Sequence, residues 1–115
     1  GCGECRRCME ACPTGAIVSE MTIDTSRCIS CHTIEAEPHT SLDLHGWIFG
    51  CDECQNICPY NRRASMHRNP SFDPLFDPRN LSAEQWREIS DEDFSMRFGS
   101  TPLKRSGLER IKKNI

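Results

Sequence analysis

Cysteine is the residue that can do chemistry in this chain, and it falls in two runs: Cys2-x2-Cys5-x2-Cys8-x3-Cys12-Pro13, then Cys51-x2-Cys54-x3-Cys58-Pro59. As thiolates, cysteines are soft ligands that select zinc, copper(I) or iron-sulfur centres. Three thiolates three residues apart can wrap a loop round one multi-iron cube. A fourth, about one helical turn further on, faces away from that loop and reaches a neighbouring cube. Proline after it stops the turn from continuing. The pattern, used twice, predicts two [4Fe-4S] clusters. Zinc ribbons share the CxxC pairs but do not need the x3-Cys-Pro ending. Disulfides fit poorly, because nine cysteines is an odd number and the spacings are ligand spacings.

The spacing is that of bacterial ferredoxins, with one departure. A second motif matching the first would have its leading cysteine at position 48, where Ile48 stands. Cys28 is the best candidate for the missing ligand. Cys12-Pro13-Thr14-Gly15-Ala16-Ile17, then Thr22-Ile23-Asp24, then Cys28-Ile29-Ser30-Cys31 resemble the link between two ferredoxin halves, where two short strands precede the next cluster loop. The second half is then split, with 22 residues between Cys28 and Cys51 in place of two. On this reading Cys2, Cys5, Cys8 and Cys58 hold cluster 1, and Cys12, Cys28, Cys51 and Cys54 hold cluster 2. Cys31 is left over as a small buried thiol or an unused remnant, the alternative being that it ligates.

The elements that position these thiols come from a chain of 115 residues, 37% hydrophobic with the nine cysteines included. That is one thin-cored domain at most, in which metal replaces part of the core, so cluster loss is expected to unfold the first half. The fold class expected is α+β. A small ferredoxin-like di-cluster domain spans 1–62 with an insertion at 32–50, an extended Pro-rich connector spans 63–80, and a mainly helical tail spans 81–115. No apolar run approaches membrane-spanning length and no signal peptide is visible. Reduced thiolate ligands point to the cytoplasm. Opening at Gly1 without methionine, and with a ligand at position 2, the sequence reads as part of a longer chain. Charge is uneven: residues 1–58 carry 3 Lys/Arg against 9 Asp/Glu, and residues 59–115 carry 11 against 8.

In the second half, Asn69-Pro70-Ser71-Phe72-Asp73-Pro74-Leu75-Phe76-Asp77-Pro78 is too broken for a helix or central strand. Phe72, Leu75 and Phe76 are expected to pin it onto the cluster domain. Ser82-Ala83-Glu84-Gln85 is a capping box opening a helix through Trp86 and Ile89, and Ser90 with Asp93 repeats the pattern up to Gly99. A third helix is predicted from Thr101 as N-cap and Pro102 at the first helical position, through Leu103, Leu108 and Ile111. Its cations, Lys104, Arg105, Arg110, Lys112 and Lys113, fit either a solvated helix face or a nucleic-acid contact, in which Arg62 and Arg63 would join them. His32, His39, His45 and His67 have no spacing suggestive of a metal site and read as ordinary surface or loop residues. Trp47 and Phe49 are expected to shield the second cluster loop from water.

Cys28-Ile29-Ser30, Thr33-Ile34-Glu35 and the block from Gly46 to Asn61 containing Gly50-Cys51-Asp52-Glu53-Cys54-Gln55 together resemble the iron-sulfur domain of epoxyqueuosine reductases. Thr101-Pro102-Leu103-Lys104-Arg105 looks like that family's opening of a helical repeat. The resemblance implies an oxidoreductase using two [4Fe-4S] clusters and a cobalamin, the latter bound mainly by a region outside this chain. It implies tRNA carrying epoxyqueuosine as substrate, a low-potential donor such as flavodoxin or ferredoxin, and a monomer not attached to a membrane. It implies no catalytic residue here, so these 115 residues alone should be inactive. The family usually has tyrosine at the position of Cys31. A reductive dehalogenase-like cobalamin enzyme and a stand-alone ferredoxin-type carrier are the alternatives. The Thr33-Ile34-Glu35 segment and the Gly-Cys-Asp-x-Cys-Gln block speak against the first, and the insertion and basic tail against the second.

Overall fold

Pro13 cuts the first helix short. The computed structural model describes residues 1–35 and 41–115, and in it α1 spans only Arg7–Ala11. The Cys12 amide still donates to the Cys8 carbonyl at 3.1 Å. Its own backbone is already extended at φ −64 and ψ 114, because a residue before proline is pushed out of the helical region. An antiparallel pair follows, β1 (Ile17–Ser19) and β2 (Thr22–Ile23), with Ile17 opposite Ile23 and Ser19 opposite Thr22. Met21 takes a left-handed φ of 54 in the turn between them. These are the two short strands expected before the next ligand.

The Asp24 carboxylate then caps a 3₁₀ turn, Thr25–Arg27, by accepting from the Ser26 amide at 3.0 Å. That turn delivers the chain to α2 (Ile29–Ile34), whose Ile29 and Thr33 are buried. After the insertion, α3 (Glu53–Asn56) packs against α1, and α1 also touches β1. Ligand helices and hairpin thus form one small lobe, in which Ala16 and Ile29 are buried beside the cysteines.

The helical tail owns the larger apolar core. In α4 (Ala83–Glu88) the capping box is complete: Ser82 Oγ accepts from the Gln85 amide at 3.2 Å, and Gln85 Oε1 accepts from the Ser82 amide at 2.8 Å. In α5 (Asp91–Phe98) Ser90 Oγ accepts from the Asp93 amide at 3.1 Å and Gly99 ends the helix. Two further helices are α6 (Leu103–Ser106) and α7 (Leu108–Lys113). Trp86, Ile89, Phe94, Phe98, Leu103, Leu108 and Ile111 form the cluster. The Trp86 and Phe98 rings stack at 5.4 Å between centroids. Among the described residues, no helix is long and apolar enough to cross a membrane.

Three expectations about this half need correcting. The third helix is broken in two, because Gly107 sits at φ 81 and ψ 156, a conformation essentially reserved for glycine. Nor does Thr101 cap it: the Thr101 hydroxyl turns back and donates to the Phe98 carbonyl at 2.7 Å, closing α5 instead. The proline-rich connector is not pinned to the cluster lobe. Leu75 is 93% and Phe72 70% exposed, because 3₁₀ turns at Pro70–Phe72 and Pro78–Asn80, capped by Asn69 and Asp77, form without an apolar partner. Phe72 meets the edge of His67, and Phe76 lies under the Arg97 guanidinium of the tail at 5.7 Å.

Candidate metal centre

Four thiols from three separated segments line one cavity. Cys12, Cys28, Cys51 and Cys54 surround it, and Ala16, Ile17, Ile23 and Ile29 give it apolar walls. Cys12 arrives from the end of α1, Cys28 from the 3₁₀ turn capped by Asp24, Cys51 from the turn into α3 and Cys54 from α3 itself. Gly50, at φ 72, makes the bend that presents Cys51.

The electrostatics of these thiols differ. Burial pushes the Cys12 thiol up, but the Ala16 and Thr14 amides, the Thr14 hydroxyl and the Ile17 amide outweigh it and hold Cys12 below the ordinary thiol range. The Ala16 amide is 3.3 Å from Cys12 Sγ and the Thr14 hydroxyl 3.7 Å. Burial pushes Cys51 and Cys54 up, and neighbouring thiolates add to it: Cys54 and Cys28 act on Cys51, Cys12 and Cys8 on Cys54. Crowding thus disfavours ionising Cys51 and Cys54 together in the bare cavity, a cost that a cationic metal core would relieve. Among the described residues no three Cys, His, Asp or Glu side chains close on a single-ion site. Beside the four thiols the lining holds Ala16, Ile17, Ile23 and Ile29 and one carboxylate, Glu53, so a group bound there would have mainly apolar surroundings.

The other predicted set is more open. Cys2 and Cys5 are exposed, while Cys8 and Cys58 are half-buried. The Cys5 amide donates to the Cys2 carbonyl at 2.9 Å, which closes the first loop. The Tyr60 hydroxyl donates to the Gly1 carbonyl at 2.7 Å, tying the stretch after Cys58 to the start of that loop. Cys31 is half-buried in α2, one turn beyond Cys28, and does not line the cavity.

Residues 1–61 match the family model described as a 4Fe-4S double cluster binding domain. The chain belongs to this family. Over 99% of its length it is also 41% identical to an epoxyqueuosine reductase of Cellulophaga algicola and 42% identical to one of Cyclobacterium marinum. It spans 39% and 37% of those proteins, well under half of each. Among solved structures, epoxyqueuosine reductase from Bacillus subtilis superimposes with a TM-score of 0.86 at 31% identity, over 99% of this chain and 32% of that one. An epoxyqueuosine reductase bound to a tRNA-Tyr epoxyqueuosine-modified stem loop gives 0.85 at 32% identity, over 99% and 31%.

What the sequence did not disclose is how this double-cluster domain grips its tail. The last carbonyls of α2 have no partner within the helix, and the tail supplies them. Ser106 Oγ donates to the Thr33 carbonyl at 3.0 Å, Arg110 donates to the Ile34 carbonyl, and Asn114 Nδ2 reaches the Ile48 carbonyl at 2.9 Å. The wholly buried Thr33 hydroxyl accepts from the Gly50 amide at 3.0 Å and donates to the Ser30 carbonyl at 3.1 Å, stitching α2 to the loop before Cys51. Most of the basic tail is thereby accounted for: Arg105 pairs with Glu35 at 2.7 Å, Lys112 caps the Ile89 carbonyl at 2.9 Å and Lys113 pairs with Glu109 at 3.1 Å. Lys104 is exposed and without an ion pair among the described residues.

Two placements differ from expectation. Ile48 and Phe49 pack against the tail core, and Trp47 joins them along an apolar cavity of about 480 Å³ with Trp86 and Leu103. None of the three borders the cysteine cavity, since the buried Trp86 and Phe98 surface draws them away from the thiols. His32 is helical and half-buried, with Nε2 2.7 Å from the Ser26 carbonyl oxygen and Nδ1 buried without a partner. His45 and His67 lie beside Asp43 and Asp73, and His39 lies outside the described residues.

Proposed function

We propose that this chain is the iron-sulfur portion of an epoxyqueuosine reductase, with Cys2, Cys5, Cys8 and Cys58 holding one [4Fe-4S] cluster and Cys12, Cys28, Cys51 and Cys54 the other. The observation that carries the reading is the cavity lined by Cys12, Cys28, Cys51 and Cys54. A cysteine on the far side of the 22-residue interval meets the pair that lacks a leading ligand, and this split arrangement accompanies the similarity to epoxyqueuosine reductases along 99% of the chain. The hairpin between Cys12 and Cys28 supports a ferredoxin-like lobe over 1–62, with 63–80 as connector and 81–115 as helical tail.

The clusters supply one-electron transfer, and a cobalamin held outside these residues supplies the two-electron reduction of the epoxide. This chain's own part is to hold the thiolates, to exclude water from the inner set with Ala16, Ile17, Ile23 and Ile29, and to offer N–H donors to Cys12 that favour the thiolate. The substrate of the whole protein is then tRNA carrying epoxyqueuosine, in the cytoplasm, with electrons drawn from a flavodoxin or ferredoxin.

Anaerobically reconstituted protein should bind about eight iron atoms per chain and show a broad visible absorption that bleaches with dithionite. Stoichiometric zinc without iron would sink the cluster assignment. The full-length protein with cobalamin should reduce epoxyqueuosine in tRNA while residues 1–115 alone do not. Turnover by residues 1–115 without cobalamin would overturn the division of labour.

A further inference from the structure

The Thr14 hydroxyl stands between two thiols of the inner set and has a single proton to give. Thr14 lines the cysteine cavity. Its O–H donates to the Arg27 carbonyl, in the peptide that leads into Cys28. Its oxygen is also 3.7 Å from Cys12 Sγ, a contact in which either atom can donate. Cys12 precedes the β1–β2 hairpin and Cys28 follows it, so this one side chain spans both arms. While Cys12 carries a proton the two contacts are satisfied together, the thiol donating to Thr14 and Thr14 to Arg27. A metal-bound cysteine sulfur has no proton left to give. An O–H still aimed at Arg27 would then face an anionic sulfur with its lone pairs, and the contact becomes favourable once the O–H turns to the sulfur. The turn carrying Cys28 can release that bond because other groups hold it. The Asp24 carboxylate accepts from the Ser26 amide at 3.0 Å and from the Ser26 hydroxyl at 2.6 Å, and His32 Nε2 donates to the Ser26 carbonyl at 2.7 Å.

We propose that Thr14 is a positioning residue of the inner set, a proposal that rests on Cys12 and Cys28 sharing one cluster. In the metal-free lobe its O–H ties the Cys28 turn to the Cys12 loop, which keeps the two arms together for bridging. With metal bound, the O–H turns to the Cys12 sulfur. A donor on a ligand sulfur stabilises the reduced, more negative cluster over the oxidised one, so it raises the midpoint potential. Reduction adds one electron, the hydroxyl proton stays on Thr14 and no bond breaks. The Ala16 amide, 3.3 Å from the same sulfur, belongs to the main chain and persists whatever side chain stands at position 14, so substitution there isolates the hydroxyl.

The test uses full-length protein reconstituted anaerobically, with midpoints read by redox titration followed by electron paramagnetic resonance. Thr14→Val keeps the branched shape without the hydroxyl, and Thr14→Ser keeps the hydroxyl without the methyl. In the valine variant one of the two midpoints should fall by about 59 mV, a tenfold change in the oxidised-to-reduced ratio of a one-electron couple. The other midpoint should hold, and serine should restore the first. Iron uptake beyond about four atoms per chain should be slower with valine and near the parent rate with serine. Thr22→Val is the control: it removes a hydroxyl bonded to the Glu20 carbonyl at 3.2 Å, outside the cavity lining, and should leave both midpoints in place. Unmoved midpoints in Thr14→Val overturn the proposal, as does an equal fall of both or a serine variant that behaves like valine. If the valine variant stops at about four iron atoms while the serine variant fills, the positioning role stands on uptake alone. If neither fills, the hydroxyl assignment falls. A parent that carries both clusters and, with cobalamin and dithionite, leaves epoxyqueuosine intact refutes the reductase reading while the midpoints still decide the role of Thr14. A parent without cluster absorption ends both.

Discussion

Thr33→Val isolates the contact that joins the helix after Cys28 to the loop before Cys51. Valine keeps the shape and β-branching of threonine, so α2 and its packing should survive. What disappears is the acceptor for the Gly50 amide at 3.0 Å and the bond to the Ser30 carbonyl at 3.1 Å. Thr33 is wholly buried while Gly50 is half-buried, so water recovers part of the lost pairing. The cost should fall at about 1–2 kcal/mol, within the usual range for an orphaned buried donor. Thr33→Ser is the control: it keeps the hydroxyl and loses a methyl, for about 1 kcal/mol of transfer energy. Stability alone would not separate the two variants, but hydrogen exchange does. In cluster-loaded protein the segment 46–54 should exchange about tenfold faster in the valine variant and near the parent rate in the serine variant, each factor of ten being about 1.4 kcal/mol of local opening. Iron release to a chelator should accelerate in the same order, because Gly50 sets the bend that presents Cys51. Equal exchange in the two variants would mean that the Thr33 hydroxyl does not hold this loop, and the account of how Cys51 is positioned would be wrong.

Cys28→Ser should lower the iron content from about eight to about four atoms per chain, whereas Cys31→Ser and Cys31→Tyr should leave it unchanged; the opposite pattern in iron analysis exchanges their roles. Gly107→Ala forces a β-carbon onto φ 81 and ψ 156 and should cost about 1–3 kcal/mol, read as a lower denaturant midpoint with unchanged slope. Ser82→Ala removes one half of the capping box and should destabilise the tail by about 1 kcal/mol, while Ser82→Asp, which preserves an acceptor, should recover most of it; equal loss in both would discount the cap seen at Gln85.

Spacing made a double-cluster domain legible, because metal ligation is a local demand. A loop must present three ligands within a few residues, and proline must end the turn, so residues 1–13 and 51–59 announce themselves. Capping was legible for the same reason, since Ser82 with Gln85 and Ser90 with Asp93 act within one turn. The failures lie where a residue chooses among distant partners. Phe72 and Leu75 are apolar and flank prolines, yet no facing surface within reach takes them in, and nothing local to the sequence records that. Trp47 and Phe49 adjoin a ligand loop but answer to Trp86, Phe98 and Leu103, which enter the chain decades of residues later. Two local signals mislead: apolar spacing continues through Leu108 and Ile111 across the helix-breaking Gly107, and the Thr101 hydroxyl that suits an N-cap serves the preceding helix instead.

The basic tail illustrates how a surface pattern can conceal an internal one. Five cations opposed by one acid read as an unspent electrostatic face, but three of their partners are main-chain carbonyls or a carboxylate on other elements: Ile34 for Arg110, Ile89 for Lys112 and Glu35 for Arg105. Long cationic side chains suit this task, since their charged ends reach carbonyls left unpaired near a helix terminus, Ile34 for Arg110 and Ile89 for Lys112. The same α2 whose carbonyls are closed by the tail opens immediately after Cys28. The tail is therefore joined through the six residues of α2 to Cys28, and through the Thr33 hydroxyl to the bend before Cys51. The tail contributes no thiol, yet its bonds to the Thr33, Ile34 and Ile48 carbonyls hold both ends of the interval between Cys28 and Cys51, so its helices act as a frame for those cysteines.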